Sequence, residues 1–279
     1  MPTPPPGPIP PLPAAERLQA WLRQQLPHWP DVQWAPHLGS TNSHLMQASG
    51  LALPALQGTH WQQQGRGRAG RAFLTPAGSA LTFSCAFATR LPTAALPTMS
   101  IWLAVAACEA LREAVPEPAQ LRLKWPNDLN WGDAKLAGML LESGGSLPDG
   151  TTRLVIGIGL NLQAGAALSH RLERAIAGWA DTGSTMPAPT LVVRLASQWQ
   201  AALAIAAQHW QPDTGLALLP DRFQACDALR HRAIHLLEHG DIRGSGVAEG
   251  VNAFGRLQLR TPQGLQSCSV GDVSVRPQP

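Results

Sequence analysis

The sequence contains little lysine and no tyrosine. Of its 279 residues, 21 are Lys or Arg, and only Lys124 and Lys135 are lysines. Arginine therefore supplies almost every fixed positive charge. A compact ammonium and a planar guanidinium are not interchangeable, so the two lysines indicate positions that need a point charge. Codon bias combined with chance placement is the alternative explanation.

Cysteine is also scarce, and no pair of cysteines has the spacing of a metal or redox motif. The four residues lie far apart, at Cys85, Cys108, Cys226 and Cys268. This spacing excludes a zinc ribbon and argues against a disulfide framework. We expect reduced thiols in the core of a cytoplasmic protein.

Charged residues make up only 14% of the chain, hydrophobic ones make up 44%, and the net charge is +3. Such a chain has enough apolar residues for a core, and its net charge is too small to imply a general nucleic-acid partner. Residues 1–30 are predicted to form a proline-rich tail and a short helix, without the features of a signal peptide. The apolar stretch 91–108 is interrupted by Pro92 and Pro97, so we expect a surface-packed helix rather than a membrane span.

Hydrophobic periodicity predicts an α+β region followed by a β-rich tail. Helical patterns occupy residues 18–26 and 190–203, and the hydroxyl groups at 40–43 suit a helix N-cap. Strand patterns occupy residues 32–34, 79–88, 121–125, 135–142 and 154–162, the last three as neighbours in one sheet. Short alternating strands follow at 234–237, 246–251, 255–259 and 270–275, typical of a small β-barrel or sandwich. The predicted units are 1–30, 31–227 and 228–279.

Glycine and arginine alternate in the segment QQQGRGRAGR at residues 62–71, which we call the arginine-glycine loop. Glycines let backbone amides approach a ligand, and guanidinium groups donate forked hydrogen bonds to phosphate or carboxylate, so this loop is predicted to bind an anion. Gly65, Gly67 and Gly70 match the dinucleotide-binding fingerprint, but the flanking residues suit neither the required strand nor the helix. A solvated loop and an RNA-binding arginine-glycine segment are the alternatives.

Each lysine begins a short motif, KWPNDL at residues 124–129 and KLAG at residues 135–138. Pro126 ends a strand and a turn follows, so we predict a hairpin whose second strand starts at Lys135. This hairpin brings both lysines to one end of the sheet. Lys124 either pairs with a carboxylate such as Asp128 or faces a bound anion.

Two other polar patterns are candidates for a site, and only the first of them predicts one. The buried run 154–162 presents the polar Asn161 near its end, which is how a buried strand places a side chain at a site. His231, His235 and His239 have the spacing of one helix face. Residues 234–237 read better as a strand, where residues four apart are about 13 Å apart and cannot share an ion, so no metal site is predicted.

Five motifs in order resemble those of the biotin protein ligases: STN at 40–42, QQQGRGRAGR at 62–71, KWPNDL at 124–129, KLAG at 135–138 and GIGLNL at 157–162. The resemblance covers roughly Trp34 to the C-terminus. It implies an α+β fold, with a mixed β-sheet catalytic domain flanked by helices and a small SH3-like β-barrel domain at the C-terminus. A lipoate or octanoate ligase or transferase of the same fold is the alternative enzyme, and a biotin-sensing or RNA-binding module is the alternative without catalysis.

The resemblance implies a reaction in two steps. The biotin carboxylate attacks the α-phosphorus of Mg²⁺-ATP, giving biotinyl-5'-AMP and pyrophosphate, and a lysine of the biotin carboxyl carrier protein of acetyl-CoA carboxylase then displaces AMP. Two anions meet in the first step, so the site needs cations that neutralise both. The single helix pattern before Trp34 does not fit a DNA-reading helix-turn-helix. We therefore expect a monofunctional ligase with neither DNA nor membrane as a partner, and leave open whether it is a homodimer.

By position, the resemblance assigns the biotin site to Ser40, Thr41, Asn42, Gln62, Arg66, Gly67, Arg68 and Lys135. Lys135, which would contact the carboxylate and the α-phosphate, and Arg68, in the loop that closes over the adenylate, are the implied catalytic residues. Arg71, Asn161 and Trp179 are the implied nucleotide-binding residues. A position in the core is the alternative for Trp179.

Overall fold

The computed structural model describes residues 10–73, 76–163, 169, 175–238, 241–269 and 273–277. Its helices are α1 (Ala15–Gln25), α2 (Thr41–Gln47), α3 (Leu96–Arg112), α4 (Ala188–His209) and α5 (Leu219–Gln224). Its first seven strands are β1 (Asp31–Ala35), β2 (Ala55–Thr59), β3 (Ala80–Thr89), β4 (Leu121–Lys124), β5 (Asp128–Trp131), β6 (Ala134–Ser146) and β7 (Thr152–Asn161). The strands that follow are β8 (Ala233–Glu238), β9 (Asp241–Val251), β10 (Leu257–Thr261), β11 (Gly264–Cys268) and β12 (Val273–Pro277).

The strands form two sheets. The larger has seven strands in the order β1-β2-β3-β7-β6-β5-β4, with β1 and β2 parallel and the other neighbours antiparallel. The smaller has five antiparallel strands in the order β11-β10-β9-β8-β12. The fold is therefore α+β, with a helix-flanked mixed sheet and a small SH3-like domain, as predicted.

Strand β7 separates the main core from a second layer, because successive side chains of a strand point to opposite faces. Leu154 and Ile156 belong to the main hydrophobic core, which also contains α3 and α4. Val155 packs instead with Leu45 of α2 in a separate cluster. Helix α2 thus lies on the opposite face of the sheet from α3 and α4.

Helix α3 lies inside the main core, so the expectation of a surface-packed helix was wrong. It is buried on all sides, and its alanines let neighbouring elements approach where a single apolar stripe was expected. Trp102 Nε1 donates a hydrogen bond to Ala202 O (2.7 Å) and Trp199 Nε1 donates to Leu103 O (3.1 Å), which joins α3 to α4. The segment is long and apolar enough to cross a membrane, yet most of it is buried within the protein.

The hairpin after Lys124 contains a strand that the sequence reasoning missed. The turn at 125–127 leads into β5, and Gly132, with φ of +57°, turns the chain into β6. The predicted strands 121–125 and 135–142 share a sheet but are not neighbours, since β5 lies between them. Four residues, DLNW, are too few to show a readable alternation.

The C-terminal sheet packs against the turn after β4 and against α3. Trp125 Nε1 donates to Gly255 O (3.1 Å), and Thr98 Oγ1 donates to Phe254 O (3.1 Å). The four predicted C-terminal strands correspond to β8, β9, β10 and β12, whereas the exposed β11 was not predicted. Helix α4 begins at Ala188 rather than at a Thr190 cap, because Pro187 and Pro189 suit its start. The unit boundary near residue 228 stays a prediction.

Candidate active site

A cavity of about 780 Å³ opens where β6, β7, the arginine-glycine loop and the C-terminal sheet meet. Nine residues predicted for the site line it: Ser40, Thr41, Asn42, Gln62, Arg66, Gly67, Arg68, Arg71 and Lys135. Lys124 and Asp128 line it as well, so both lysines of the chain lie in one cavity wall. The segments that the sequence singled out are therefore brought together.

The N-terminus of α2 presents buried polar groups to the cavity. Ser40 is the N-cap, and its Oγ accepts a hydrogen bond from Ser43 N at 3.4 Å, as the hydroxyl pattern predicted. Gln62 Oε1 accepts from Thr41 N (2.8 Å) and from Thr41 Oγ1 (3.0 Å), which ties the loop to the helix. These side chains carry no net charge but offer both donors and acceptors.

Ser84 on β3 completes this polar cluster and was missed by the sequence reasoning. Its Oγ lies 2.7 Å from Thr41 Oγ1 and 2.5 Å from Asn42 Oδ1, and its single O–H can be donated to only one of them at a time. Ser84 is fully buried within a strand of mostly apolar residues. Its register partner on β7 is Gly157, which places it under α2.

Asn42 fits because β7 has no side chain at Gly157. A Cβ at Gly157 would lie 2.1 Å from Asn42 Oδ1, far closer than any real contact. Asn42 Nδ2 donates to Leu140 O (3.2 Å) and to Glu142 Oε2 (2.9 Å), both on β6. Asn42 is thus held by all its polar atoms, and Glu142 is a second residue that the sequence reasoning missed.

The arginine-glycine loop is folded back on itself beside the cavity. Gly67 N donates to Arg71 O (2.7 Å), and Phe73 N donates to Gly65 O (2.8 Å). Arg66 forms an ion pair with Glu142 at 2.9 Å. Among the described residues, the segments 60–64 and 76–79 on either side of the loop contain neither a strand nor a helix.

Phe73, just after the loop, covers a glycine in the cavity floor. A Cβ at Gly159 would lie 2.1 Å from Phe73 Cζ, so the ring rests directly on the backbone of β7. The aromatic ring is a further lining residue to which the sequence reasoning gave no role. A ligand over Gly159 would have to share this space with the ring or displace it.

Lys135 lines the cavity beside Gly138, which is the register partner of Gly159. Its ammonium forms an ion pair with the carboxylate of Asp128, and its side chain is only 16% exposed. Gly138 leaves room for this pair, since a Cβ there would lie 3.0 Å from Lys135 Nζ and 3.4 Å from Asp128 Oδ1. Asp128 thus pairs with Lys135, and Lys124, which the sequence reasoning had considered as its partner, is the register partner of Asp128 across β4 and β5.

The register of β6 and β7 sets the distance between the polar groups at the start of α2 and the ammonium of Lys135. Leu140 pairs with Gly157 at the level of Asn42, and Gly138 pairs with Gly159 at the level of Lys135. Two residues along a strand correspond to about 7 Å. The cavity therefore has a neutral polar end and, one short step away, a cationic end.

Two predicted nucleotide-binding residues lie outside the cavity lining. Asn161 Nδ2 donates to Lys135 O and to Ala177 O, both at 3.2 Å, so its amide supports the backbone that carries Lys135. Trp179 is fully buried in the main core and donates to Met186 O. Trp179 therefore occupies the core position that the sequence left as its alternative, three residues after Ile176, which pairs with Lys135 of β6.

The C-terminal sheet contributes three lining residues: Leu237, Val275 and Arg276. Leu237 comes from β8, and the other two come from its partner strand β12. Sequence reasoning gave none of them a role, because only the packing of the two sheets brings them to the cavity. Arg276 adds a guanidinium to a wall that already contains three arginines of the loop.

Outside this cavity, Asp227 lies at a smaller one lined by Arg112, Arg122, Arg230 and Arg232 among others. Burial raises the pKa of Asp227 to about 6. Its Oδ1 accepts a hydrogen bond from Leu229 N at 2.7 Å, and its Oδ2 has no partner among the described residues.

Two of the three regularly spaced histidines, His231 and His235, lie within the described residues. His235 lies on β8, and His231 precedes the strand with φ of +59°. His239 lies outside the described residues. No three His, Cys, Asp or Glu side chains within the described ranges come together as metal ligands.

Comparison with known proteins gives two family matches and several relatives. Residues 39–161 match the biotin/lipoate A/B protein ligase family, and residues 232–276 match the biotin protein ligase C terminal domain. The biotin--[acetyl-CoA-carboxylase] ligase of Paracoccus denitrificans is 33% identical over 255 residues, covering 85% of this chain and 98% of the relative. The bifunctional ligase/repressor BirA of Escherichia coli (strain K12) is 30% identical over 247 residues, covering 86% and 73%.

A solved structure shares the fold. The biotin protein ligase from Aquifex aeolicus in complex with biotin and ATP superposes with a TM-score of 0.71 at 22% identity, covering 90% of this chain and 100% of that chain. The similarity therefore spans both sheets.

Proposed function

The chain belongs to the biotin/lipoate A/B protein ligase family and within it to the biotin protein ligases, and from this premise we propose that it is an ATP-dependent biotin--[acetyl-CoA-carboxylase] ligase. Biotin and ATP are its substrates, and Mg²⁺ accompanies ATP. The observation that carries the proposal is the pairing, in one cavity, of a neutral polar end at α2 with a cationic end at Lys135.

The neutral polar end suits the head group of biotin. A ureido ring carries two N–H donors and a carbonyl acceptor, and a buried polar ligand needs a partner for each. Thr41, Asn42 and Gln62 line the cavity with hydroxyl and amide groups, which include both donors and acceptors, and Ser84 holds Thr41 and Asn42 from behind. We assign biotin binding to Ser40, Thr41, Asn42 and Gln62, with Arg66, Gly67 and Arg68 from the loop.

The cationic end suits the reacting anions. In the first step the biotin carboxylate forms a bond to the α-phosphorus of ATP while the bond to pyrophosphate breaks, and negative charge must be neutralised on both sides. Lys135 supplies a compact positive charge there, and Arg68 and Arg71 supply guanidinium groups from the loop. We assign catalysis to Lys135 and Arg68, and nucleotide binding to Arg71.

In the second step, an uncharged lysine amine of a carrier protein attacks the carbonyl of biotinyl-5'-AMP, an amide bond forms, and AMP leaves with release of a proton. We propose the biotin carboxyl carrier protein of acetyl-CoA carboxylase as this partner, since the Paracoccus relative is named for that reaction. The loop holds the adenylate away from water until the carrier arrives.

A lipoate or octanoate ligase or transferase is not favoured. An acyl chain without a ureido head group has no donors or acceptors that could form hydrogen bonds with the polar groups of Thr41, Asn42 and Gln62 in the cavity wall. We propose that the protein acts as a monofunctional ligase in the cytoplasm without DNA or membrane partners. We further propose that residues 31–227 and 228–279 form its two functional units.

Pyrophosphate exchange tests the function. Purified protein incubated with ATP, Mg²⁺ and labelled pyrophosphate is expected to form labelled ATP only when biotin is present, with lipoate and octanoate as controls. A carrier domain should then receive biotin on its acceptor lysine, and a carrier with that lysine replaced by Arg should not. Exchange that depends on lipoate instead of biotin would contradict the proposal.

A further inference from the structure

Arg153 on β7 is a buried arginine whose hydrogen bonds all go to one helix end. Its residue is 9% exposed. Its Nη1 donates to the carbonyl oxygens of Leu45 (2.9 Å), Met46 (3.1 Å) and Ala48 (2.7 Å). Within the described residues no carboxylate forms an ion pair with it, and its buried Nε has no partner. A buried charge is costly unless it is well paired, so this guanidinium must be held by the carbonyls that it contacts.

These carbonyls belong to the C-terminal end of α2, where backbone oxygens lack partners within the helix and the helix dipole is negative. A helix of only seven residues is marginal by itself, so contacts at its ends decide its position. Arg153 supplies the contact at one end. Asn42 against Gly157 supplies the contact at the other.

Both contacts come from the same face of one strand. Arg153 and Gly157 are four residues apart on β7, which is about 13 Å, and seven helical residues span about 10 Å. The strand therefore holds α2 at both ends. Gly144 on β6 leaves room for the arginine, since a Cβ there would lie 3.3 Å from Arg153 Cβ.

We propose that Arg153 is a positioning residue, which acts through α2 by setting where Thr41 and Asn42 stand at the neutral polar end of the cavity. The identity of the ligand, biotin, rests on the proposed function. Replacement by Met keeps most of the side-chain volume but leaves the carbonyls of Leu45, Met46 and Ala48 without their donor. Helix α2 then loosens, and the buried polar groups at its start lose their alignment.

Three variants test this role. Arg153→Met removes the guanidinium, and Arg153→Lys keeps the charge with a single donor group. Arg112→Met is the matched control, because Arg112 also donates to backbone carbonyls, those of Leu121 (2.8 Å) and Ala225 (2.7 Å), but away from α2. The readouts are the Kd for biotin by calorimetry and the KM values for biotin and ATP in pyrophosphate exchange.

Arg153→Met is expected to weaken biotin binding about tenfold while the KM for ATP changes less than about twofold. Arg153→Lys is expected to restore about half of the lost biotin affinity, measured on a logarithmic scale. Arg112→Met is expected to leave biotin binding unchanged. A folded Arg153→Met protein that binds biotin like the parent would overturn the proposal. An equal rise in the KM values for biotin and for ATP would also overturn the proposal. If Arg153→Met does not fold, Arg153→Lys is judged by the same two criteria.

Hydrogen exchange gives a readout that needs no ligand. Peptides covering residues 41–47 should exchange about tenfold faster in Arg153→Met than in the parent and in Arg112→Met. Unchanged exchange in this segment would overturn the proposal even if the protein is a biotin ligase. A parent protein that does not bind biotin would overturn the proposed function, while the exchange comparison would still decide whether Arg153 holds α2.

Discussion

The ammonium of Lys135 and the carboxylate of Asp128 form an ion pair between the neighbouring strands β6 and β5, in the wall of the cavity. The pair is only partly exposed to solvent, so the ammonium keeps a defined position before any anion arrives. A partly desolvated, fixed charge stabilises developing charge more than a solvated one does. We therefore propose that Lys135 stabilises the transition state of adenylate formation more than it stabilises the bound substrates.

Replacing Lys135 by Ala should slow adenylate formation by about 10²–10³-fold, because one preorganised electrostatic contact to the transition state is lost. The Kd for biotin should rise by less than about threefold, since α2 and Gln62 are untouched. Single-turnover formation of biotinyl-5'-AMP and calorimetry measure the two quantities. Lys135→Arg should not restore the rate, because the space beside Gly138 fits a compact ammonium. Equal losses in rate and affinity would show that Lys135 serves only ground-state binding.

Replacing Arg68 by Ala should release the adenylate from the enzyme at least about tenfold faster, because the loop loses a guanidinium that faces the cavity. Free biotinyl-5'-AMP would then label lysines of bystander proteins such as serum albumin. Added albumin is the appropriate reporter, since both lysines of this chain lie in the cavity wall. Arg90→Ala, at an exposed position outside the cavity lining, is the control. An unchanged adenylate dissociation rate in Arg68→Ala would remove Arg68 from this role.

Most of the cavity wall could be predicted because its residues lie in short motifs. Thr41 and Asn42 begin a helix, and the arginines of the loop are a few residues apart, so local spacing already groups them. Arg276 in the wall and Ser84 behind Asn42 could not be found in this way. Ser84 reads as one more residue of a buried strand, and its place under Asn42 depends on the pairing of β3 with β7.

The limits of the sequence reasoning on the fold have similar causes. Helix α3 was expected at the surface because its strongest apolar residues form one stripe, whereas its alanines are buried on the remaining sides. Trp179 could equally be read as a ligand contact or a core residue, since a tryptophan next to glycine fits both. The packing of Trp179 in the main core favours the second reading, and this packing cannot be read from the sequence.

Gly157→Ala should weaken biotin binding by at least about tenfold, because the added Cβ would lie 2.1 Å from Asn42 Oδ1 and 2.7 Å from Ser84 Oγ. Overpacking of this kind should also lower the free energy of unfolding by about 1–3 kcal/mol. Calorimetric titration with biotin and urea unfolding measure the two effects. Gly145→Ala on β6 is the matched control, since a Cβ there would meet nothing within 4 Å. Equal biotin affinity in both variants would contradict the role of Asn42.

Asp227 should make the protein less stable as the pH rises through about 6. Burial raises its pKa from 3.8 to about 6, so the folded state holds this proton more tightly than the unfolded state does. Its stabilising contribution is complete below pH 3.8 and is lost as the pH rises through the folded pKa. The loss amounts to about 3 kcal/mol.

Asp227→Asn removes this titration but keeps an oxygen that can accept from Leu229 N. The variant should therefore be more stable than the parent at pH 8, by about 1–3 kcal/mol, and the difference should shrink towards zero near pH 4. Urea unfolding across this range measures the difference. Asp213→Asn, at an exposed position, should show no such trend. A difference between Asp227→Asn and the parent that is the same at every pH would contradict the raised pKa, because a lost contact alone does not titrate.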